Sequence, residues 1–142
     1  MVSVERTFAT QLSLVSRKWR VRLDERLKHT VLTEARWLAL YQISRSGRTL
    51  TQRELAEQLQ IEGPTLVRTL DGLEAKGLIE RQPVADDRRA KAVVLTAAAC
   101  PIIKEIGRIA NGLRCELLAG LDRDELEIAT SVLMTIGEKL ER

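Results

Sequence analysis

Arg68 is the residue whose type and position most directly suggest chemistry, namely contact with a nucleic acid. It lies in a segment of helical periodicity, residues 61–76, in which Leu66, Leu70 and Leu73 recur on one face. The opposite face carries small or polar residues and a single arginine: Pro64, Thr65, Arg68, Asp71 and Gly72. Such a face can approach base edges closely, and a guanidinium can bind guanine O6 and N7 or a phosphate. An ordinary solvated helix face is the alternative interpretation.

A second group of basic residues lies between Arg81 and Lys91. Four positive residues (Arg81, Arg88, Arg89 and Lys91) accompany two negative ones, so the segment carries a net charge of plus two. Arginines on a protruding loop suit a narrow minor groove, where the negative potential is focused. One of the two aspartates can brace an arginine through a charge-assisted hydrogen bond. The alternative is a solvated charged turn whose surface ion pairs contribute little.

The elements that must position these residues are two short helices joined by a turn. Thr51 with Glu54 forms a capping box that begins the first helix, and its apolar residues are Leu55, Ala56 and Leu59. Residues 61–63 are predicted to form the turn, with Gly63 supplying backbone freedom. Pro64 is tolerated in a first helical turn, and Gly77 is a natural C-terminal stop.

Two short strands are predicted directly after the second helix, over residues 78–82 and 92–96. The segment between them, including residues 85–91, is expected to be a loop, because it is too long and too charged for a minimal hairpin. The order helix, turn, helix, strand, loop, strand is typical of a winged helix-turn-helix. That fold places one helix in the major groove of duplex DNA.

At these residues the chain resembles the MarR family, and within it the SlyA/RovA-like branch. The closest stretches are residues 61–71 and residues 87–91 through Leu95-Thr96, and the order of elements matches from about Leu12 to the C-terminus. The resemblance implies a homodimeric transcription factor on a pseudo-palindromic operator. It implies that Pro64, Thr65 and Arg68 face the major groove, and that Arg88 and Arg89 serve the minor groove with Asp87 as brace. It also implies that many such proteins respond to small phenolic or carboxylic compounds.

The fold class expected is mainly α (α+β), a winged helix-turn-helix with N- and C-terminal dimerisation helices. We expect one domain over residues 1–142, with the winged core at about 33–96 and dimerisation helices at about 5–28 and 97–142. The last helix carries an apolar seam whose residues step by three and four: Leu126, Ala129, Leu133, Ile136 and Leu140. Packing onto its own domain is the alternative to pairing with a second chain, and we favour a mixture of the two.

Arg17, Trp37 and Tyr41 are the residues that we associate with a small aromatic or anionic effector. They combine a cation with aromatic surface on the first two helices, which by the resemblance border the ligand pocket of the family. The alternative is that Trp37 and Tyr41 belong to the core. All four aromatic residues lie in the first 41 residues, so the basic wing has no base-stacking platform, which favours duplex DNA over RNA.

Composition and motifs exclude several other classes. No apolar run reaches the roughly 18 residues of a membrane span, and the N-terminus has no apolar signal core, so we expect a cytoplasmic protein. Cys100 and Cys115 are expected to be buried structural thiols, with a redox switch as the alternative. With His29 as the only histidine, no phosphate-binding glycine loop and no CxxC, we expect no enzyme, cofactor or metal. A winged-helix protein-interaction module is the alternative function, and binding of double-stranded RNA by the basic first helix is a weaker one.

Overall fold

The computed structural model describes residues 1–142 and contains six α-helices with a three-stranded antiparallel sheet. A 3₁₀ turn, Lys28–Thr30, lies between the first two helices. The helices are α1 (Val4–Arg26), α2 (Glu34–Arg45), α3 (Gln52–Leu59), α4 (Gly63–Ala75), α5 (Ala99–Leu118) and α6 (Arg123–Leu140). The strands are β1 (Leu50–Thr51), β2 (Ile79–Val84) and β3 (Asp87–Leu95). This architecture confirms the winged helix-turn-helix fold class.

Short polar side chains begin four of the helices, because their oxygens accept otherwise unpaired backbone N–H groups. Thr51 accepts from the N–H of Glu54 at 3.1 Å, which confirms the predicted start of α3. The same arrangement begins α1 at Ser3, α2 at Thr33 and α6 at Asp122. At the other end of α4, Gly77 has a φ of 74°, a conformation that glycine adopts at no steric cost.

The core is formed by the inner faces of α2, α3 and α4, the sheet and the first part of α5. Leu66, Leu70 and Leu73 are at most 1% exposed, so the apolar face predicted for α4 is its buried face. Burying an aliphatic side chain of this size contributes roughly 1.5–3 kcal/mol, which is why these positions fix the orientation of the helix. Leu55 and Ala56 bury the corresponding face of α3.

The sheet has the strand order β1-β3-β2, and β1 was not predicted. Leu50 pairs with Val93 and Thr51 with Ala92, so the residue that caps α3 is also bonded into the sheet. The start of the helix-turn-helix is thereby attached to the base of the wing, the β2–β3 hairpin.

The prediction of a long wing loop was wrong. Strands β2 and β3 extend toward each other until only Ala85 and Asp86 form the turn between them. Pro83 pairs with Lys91, but the next residue, Val84, pairs with Asp87, so the three residues 88–90 have no partner on β2. This irregularity behaves as a bulge that absorbs the extra residues, so no long loop is needed.

Two smaller expectations also need correction. The turn before α4 depends on Gln60, whose φ is 55°, whereas Gly63 has no positive φ and is the first residue of the helix. Cys100 and Cys115 are both exposed thiols. The buried stripe of α5 is carried instead by Ala99, Ile106 and Leu113, and neither cysteine falls on it.

The chain divides into two compact units, Met1–Ala110 and Asn111–Arg142, with the boundary inside α5. Within these units, α1 and α6 contain no buried residue. Several of their large apolar side chains are exposed, among them Phe8, Leu12 and Val15 of α1 and Ile128, Leu133 and Leu140 of α6. None of the helices combines the length and the apolar character that crossing a membrane requires.

Candidate nucleic-acid interface

The exposed face of α4 carries the residues that the sequence assigned to base contact. Pro64, Thr65 and Arg68 are all exposed, on the side of the helix away from the buried leucines. Pro64 lies in the first turn, where its missing N–H would have no intrahelical partner. The side chain of Arg68 forms no ion pair within the chain. Its guanidinium is therefore available to a ligand, and the three residues are brought together on one surface.

The turn between α3 and α4 sets the position of that face. Gln60 adopts a left-handed conformation, and the N–H of Ile61 donates to the carbonyl oxygen of Ala56 at 3.1 Å, which closes the end of α3. Glu62 then precedes α4 in an extended conformation, without a side-chain cap. Because the first turn of α4 lacks a side-chain cap, its backbone N–H groups have no side-chain acceptor within the chain.

We call α4 the recognition helix. Arg81 of β2 connects the wing to this helix. Its guanidinium donates to Glu74 at 2.9 Å and to Asp71 at 2.5 Å, and it lies 3.5 Å from the side-chain oxygen of Gln52 on α3. These carboxylates raise the pKa of Arg81, and its side chain is only 21% exposed. Arg81 is one of the four positive residues of the segment from Arg81 to Lys91, but Asp71 and Glu74 of α4 neutralise its charge. The sequence signal that could have revealed this is the pair of acidic residues three apart on α4.

Arg88 and Arg89 lie in the bulge at the tip of the wing, and both are exposed. Because residues 88–90 are unpaired on the β2 side, their side chains project from an irregular stretch of backbone. Lys91 follows on β3 and is also exposed. With Arg81 paired to α4, the free positive charge at the tip comes from these three residues.

Asp87 has a different partner from the arginine side chain that we expected. Its Oδ1 accepts the backbone N–H of Arg89 at 2.9 Å. A carboxylate bonded to an N–H two residues on holds the local backbone in a turn. Asp87 therefore braces the bulge that carries the arginines, and does so through the main chain.

A cavity of about 840 Å³ separates the wing from the helix-turn-helix. Its walls include Gly63 and Val67 of α4 on one side and Asp87, Arg89 and Lys91 of the wing on the other. The start of the recognition helix and the basic tip of the wing therefore border the same groove.

The three residues predicted to bind an effector do not share a cavity. Arg17 is exposed and lines a cavity of about 390 Å³ together with Arg20 and Glu34, whose side chains are 3.8 Å apart. Trp37 is 1% exposed, and its Nε1 donates to Asp24 at 2.8 Å, which joins α2 to the end of α1. Tyr41 is partly buried beside the core, with the guanidinium of Arg45 5.3 Å from its ring centre. Neither aromatic residue lines the cavity at Arg17.

Comparison with known proteins gives a consistent result. A model of the MarR family matches residues 32–90. Among solved structures, the transcriptional regulator PA3341 is 48% identical, with a TM-score of 0.89 and coverage of 94% of this chain and 98% of that chain. The apo form of wild-type MarR from E. coli is 27% identical, with a TM-score of 0.76 and coverage of 96% and 98%.

A third similar structure contains a ligand of direct interest. It is a complex of MepR from S. aureus with DNA, in which MepR is 25% identical to this chain, with a TM-score of 0.81. The alignment covers 94% of this chain and 97% of that chain.

Proposed function

This chain belongs to the MarR family of transcriptional regulators, and we propose that it is a sequence-specific duplex-DNA-binding regulator that acts as a homodimer on a pseudo-palindromic operator. The observation that carries the proposal is the position of Arg68, unpaired on the exposed face of α4, a helix that borders one cavity together with Arg89 of the wing. A small polar helix face with one free guanidinium suits the major groove, and arginines on a projecting bulge suit the minor groove. The similarity to a regulator solved with DNA supports the same proposal.

The roles that we propose follow from these positions. Pro64 and Thr65 allow the start of α4 to approach base edges closely, while Arg68 binds a guanine edge or a phosphate. Arg88 and Arg89 enter the flanking minor groove, and Asp87 holds the bulge that presents them. A protein of this kind acts by binding, so we infer no enzymatic activity, and its place of action would be the cytoplasm.

Exposed apolar side chains on the terminal helices support the homodimer. The seam of α6 includes Leu133, which is 44% exposed, and Leu140, which is 81% exposed. Apolar surface of this extent is stabilised when a second chain covers it, and two-fold dimers read two half-sites. The two recognition helices of such a dimer lie about 34 Å apart, so the half-sites are about 10 base pairs apart from centre to centre.

We further propose that a small aromatic carboxylate modulates DNA binding. The cavity beside Arg17 supports this, because it offers two arginine side chains, Arg17 and Arg20, to an anion. Glu34 in the same wall opposes anion binding, and the ligand would have to displace it from Arg20. Trp37 and Tyr41 do not line this cavity, so the proposal assigns the contact with the ligand to Arg17. Saturable change in tryptophan fluorescence on titration with salicylate, lost in Arg17→Ala, is the expected result.

Selection of bound fragments from genomic DNA by the full-length chain tests the proposed function. We expect an inverted repeat among the selected fragments, and a gel shift with one fragment whose affinity falls steeply between two salt concentrations. A winged-helix protein-interaction module would show no preference among the fragments. We also propose that the chain belongs to the SlyA/RovA-like branch. The half-site spacing of the selected repeat can be compared with the half-site spacing of operators bound by that branch.

A further inference from the structure

Arg36 of α2 lies directly on the backbone of the recognition helix. A Cβ atom built at Gly72 of α4 would lie only 2.2 Å from Nη2 of Arg36 and 2.5 Å from its Cζ. The guanidinium therefore occupies the space that any larger side chain at position 72 would fill. The arginine is partly buried, yet its guanidinium forms no ion pair or side-chain hydrogen bond, and its backbone N–H donates to Oγ1 of Thr33 at 3.4 Å.

The backbone conformation at position 72 does not require glycine. Its φ is not positive, and it lies inside α4, where glycine is less favourable than alanine. The atoms nearest to the built Cβ all belong to the flexible end of Arg36. The absence of a side chain at Gly72 therefore leaves the space in which this guanidinium packs on α4. We call this packing site the seat of Arg36.

The seat lies beside the proposed reading face. Gly72 is one helical turn after Arg68, so the two positions are neighbours on the surface of α4. Arg81 approaches α4 from another side, because Asp71 and Glu74 are rotated by about 100° or more around the helix axis from Gly72. When a helix lies in the major groove, phosphates flank it on both sides, and unpaired arginines are the usual phosphate partners.

We propose that Arg36, seated by Gly72, binds a backbone phosphate of the DNA on the α2 side of the recognition helix. This inference rests on the proposed function. A phosphate contact at this point fixes the register of α4 in the groove without reading a base. A purely structural role is the alternative, in which the guanidinium only interacts with the partially negative C-terminal carbonyl groups of α4.

Three variants separate these roles: Arg36→Ala, Gly72→Ala and the double variant. The probes are the fragment that the wild-type protein selects from genomic DNA and a random-sequence duplex of equal length. Arg36→Ala should weaken binding to both duplexes by roughly threefold to tenfold and reduce the slope of log affinity against log salt by about one. Arg45→Ala, which changes an exposed arginine on the same helix, is the matched control and should leave affinity and slope unchanged.

Gly72→Ala gives the sharper result. The added methyl group displaces the guanidinium, so DNA binding should weaken while the melting temperature stays level or rises, because alanine favours the helix. In the Arg36→Ala background, the same glycine substitution should cause no further loss of affinity. Equal losses of affinity in both backgrounds would show that the methyl group acts on DNA binding independently of Arg36. That result would refute the proposal that Gly72 acts by positioning Arg36.

The salt slope decides the role of Arg36. An unchanged slope in Arg36→Ala, with or without a lower melting temperature, refutes the phosphate contact while leaving the DNA-binding function intact. A wild-type protein that selects no fragment refutes the proposed function itself. A reduced slope with a normal melting temperature supports the inference.

Discussion

The helix α4 and the terminal helix α6 both carry an amphipathic pattern, but they differ in which face is buried. Leu66, Leu70 and Leu73 of α4 are buried within the chain, and its charged and polar face is exposed. In α6, Ala129, Leu133 and Leu140 of the corresponding apolar stripe are exposed, and no residue of that helix is buried. The difference shows that a single chain buries the apolar face of α4 and leaves much of the apolar face of α6 exposed. Substitutions in the two regions should therefore fail in different ways.

The largest effect is expected from a charge in the seam of α6. Leu133 is 44% exposed in the single chain, so the fold of one chain depends on it less than on the fully buried leucines of α4. On association it would bury an uncompensated carboxylate, which costs several kcal/mol. We expect monomers by light scattering and a loss of operator affinity of roughly a hundredfold or more, because the two half-site contacts are no longer linked.

Ser131→Asp is the matched control for this prediction. It adds the same charge to an exposed position on α6 outside the seam and should leave the dimer intact. A wild-type chain that is monomeric at micromolar concentration and still binds its operator tightly would contradict the proposed architecture.

A smaller and more specific loss is expected at the recognition helix. Arg68→Ala should cost about 1–3 kcal/mol of specific binding, because the guanidinium is proposed to contact a base pair or its phosphate. The dimer and the melting curve should not change, since Arg68 is exposed and forms no ion pair. Arg123→Ala, at an exposed arginine of α6, should leave the affinity unaltered. Unchanged specific affinity in Arg68→Ala would remove this residue from the interface.

At the wing, Arg88→Ala and Arg89→Ala should each weaken binding by roughly tenfold and reduce the salt slope by about one. Asp87→Ala should also weaken binding, although it adds net positive charge, because the N–H of Arg89 loses its acceptor and the bulge relaxes. Asp86→Ala makes the same change of charge at the neighbouring turn residue. If both aspartate variants bind DNA more tightly, the net charge of the wing matters and the brace does not.

The sequence predicted most of the helix-turn-helix well because local rules determine it. Periodicity placed Leu66, Leu70 and Leu73 on one face of α4, and capping and glycine signals located the start of α3 at Thr51 and the end of α4 at Gly77. These features depend on residues a few positions apart, and the structure confirms them.

The wing was less predictable because its geometry depends on pairing between distant residues. The register that pairs Pro83 with Lys91 and then Val84 with Asp87 is not visible in either strand alone. The pairing of Arg81 with Asp71 and Glu74 depends on the packing of β2 beside α4. Local patterns also could not decide between an effector role and a core role for Trp37, whose burial depends on α1 and α2 together.

The smallest effect is expected where Lys28–Thr30, the turn after α1, meets α5. Glu105 accepts from Arg108 at 2.7 Å and lies 3.1 Å from Nε2 of His29. The hydrogen bond from Arg108, aided by His29, lowers the pKa of Glu105 from 4.5 to about 2. Because the folded-state pKa is depressed, the stabilisation is complete above about pH 4.5 and is lost as the pH falls toward 2.

Melting curves between pH 5 and pH 2 measure this contribution, with Glu105→Gln as the comparison. The difference in melting temperature between the wild type and the variant should be largest near pH 5 and should shrink on acidification. The partners are largely exposed, so the difference should be small, and operator affinity at neutral pH should not change. A difference that stays constant through this pH range would show that the charge of Glu105 makes no contribution, and that the substitution acts through packing on α5.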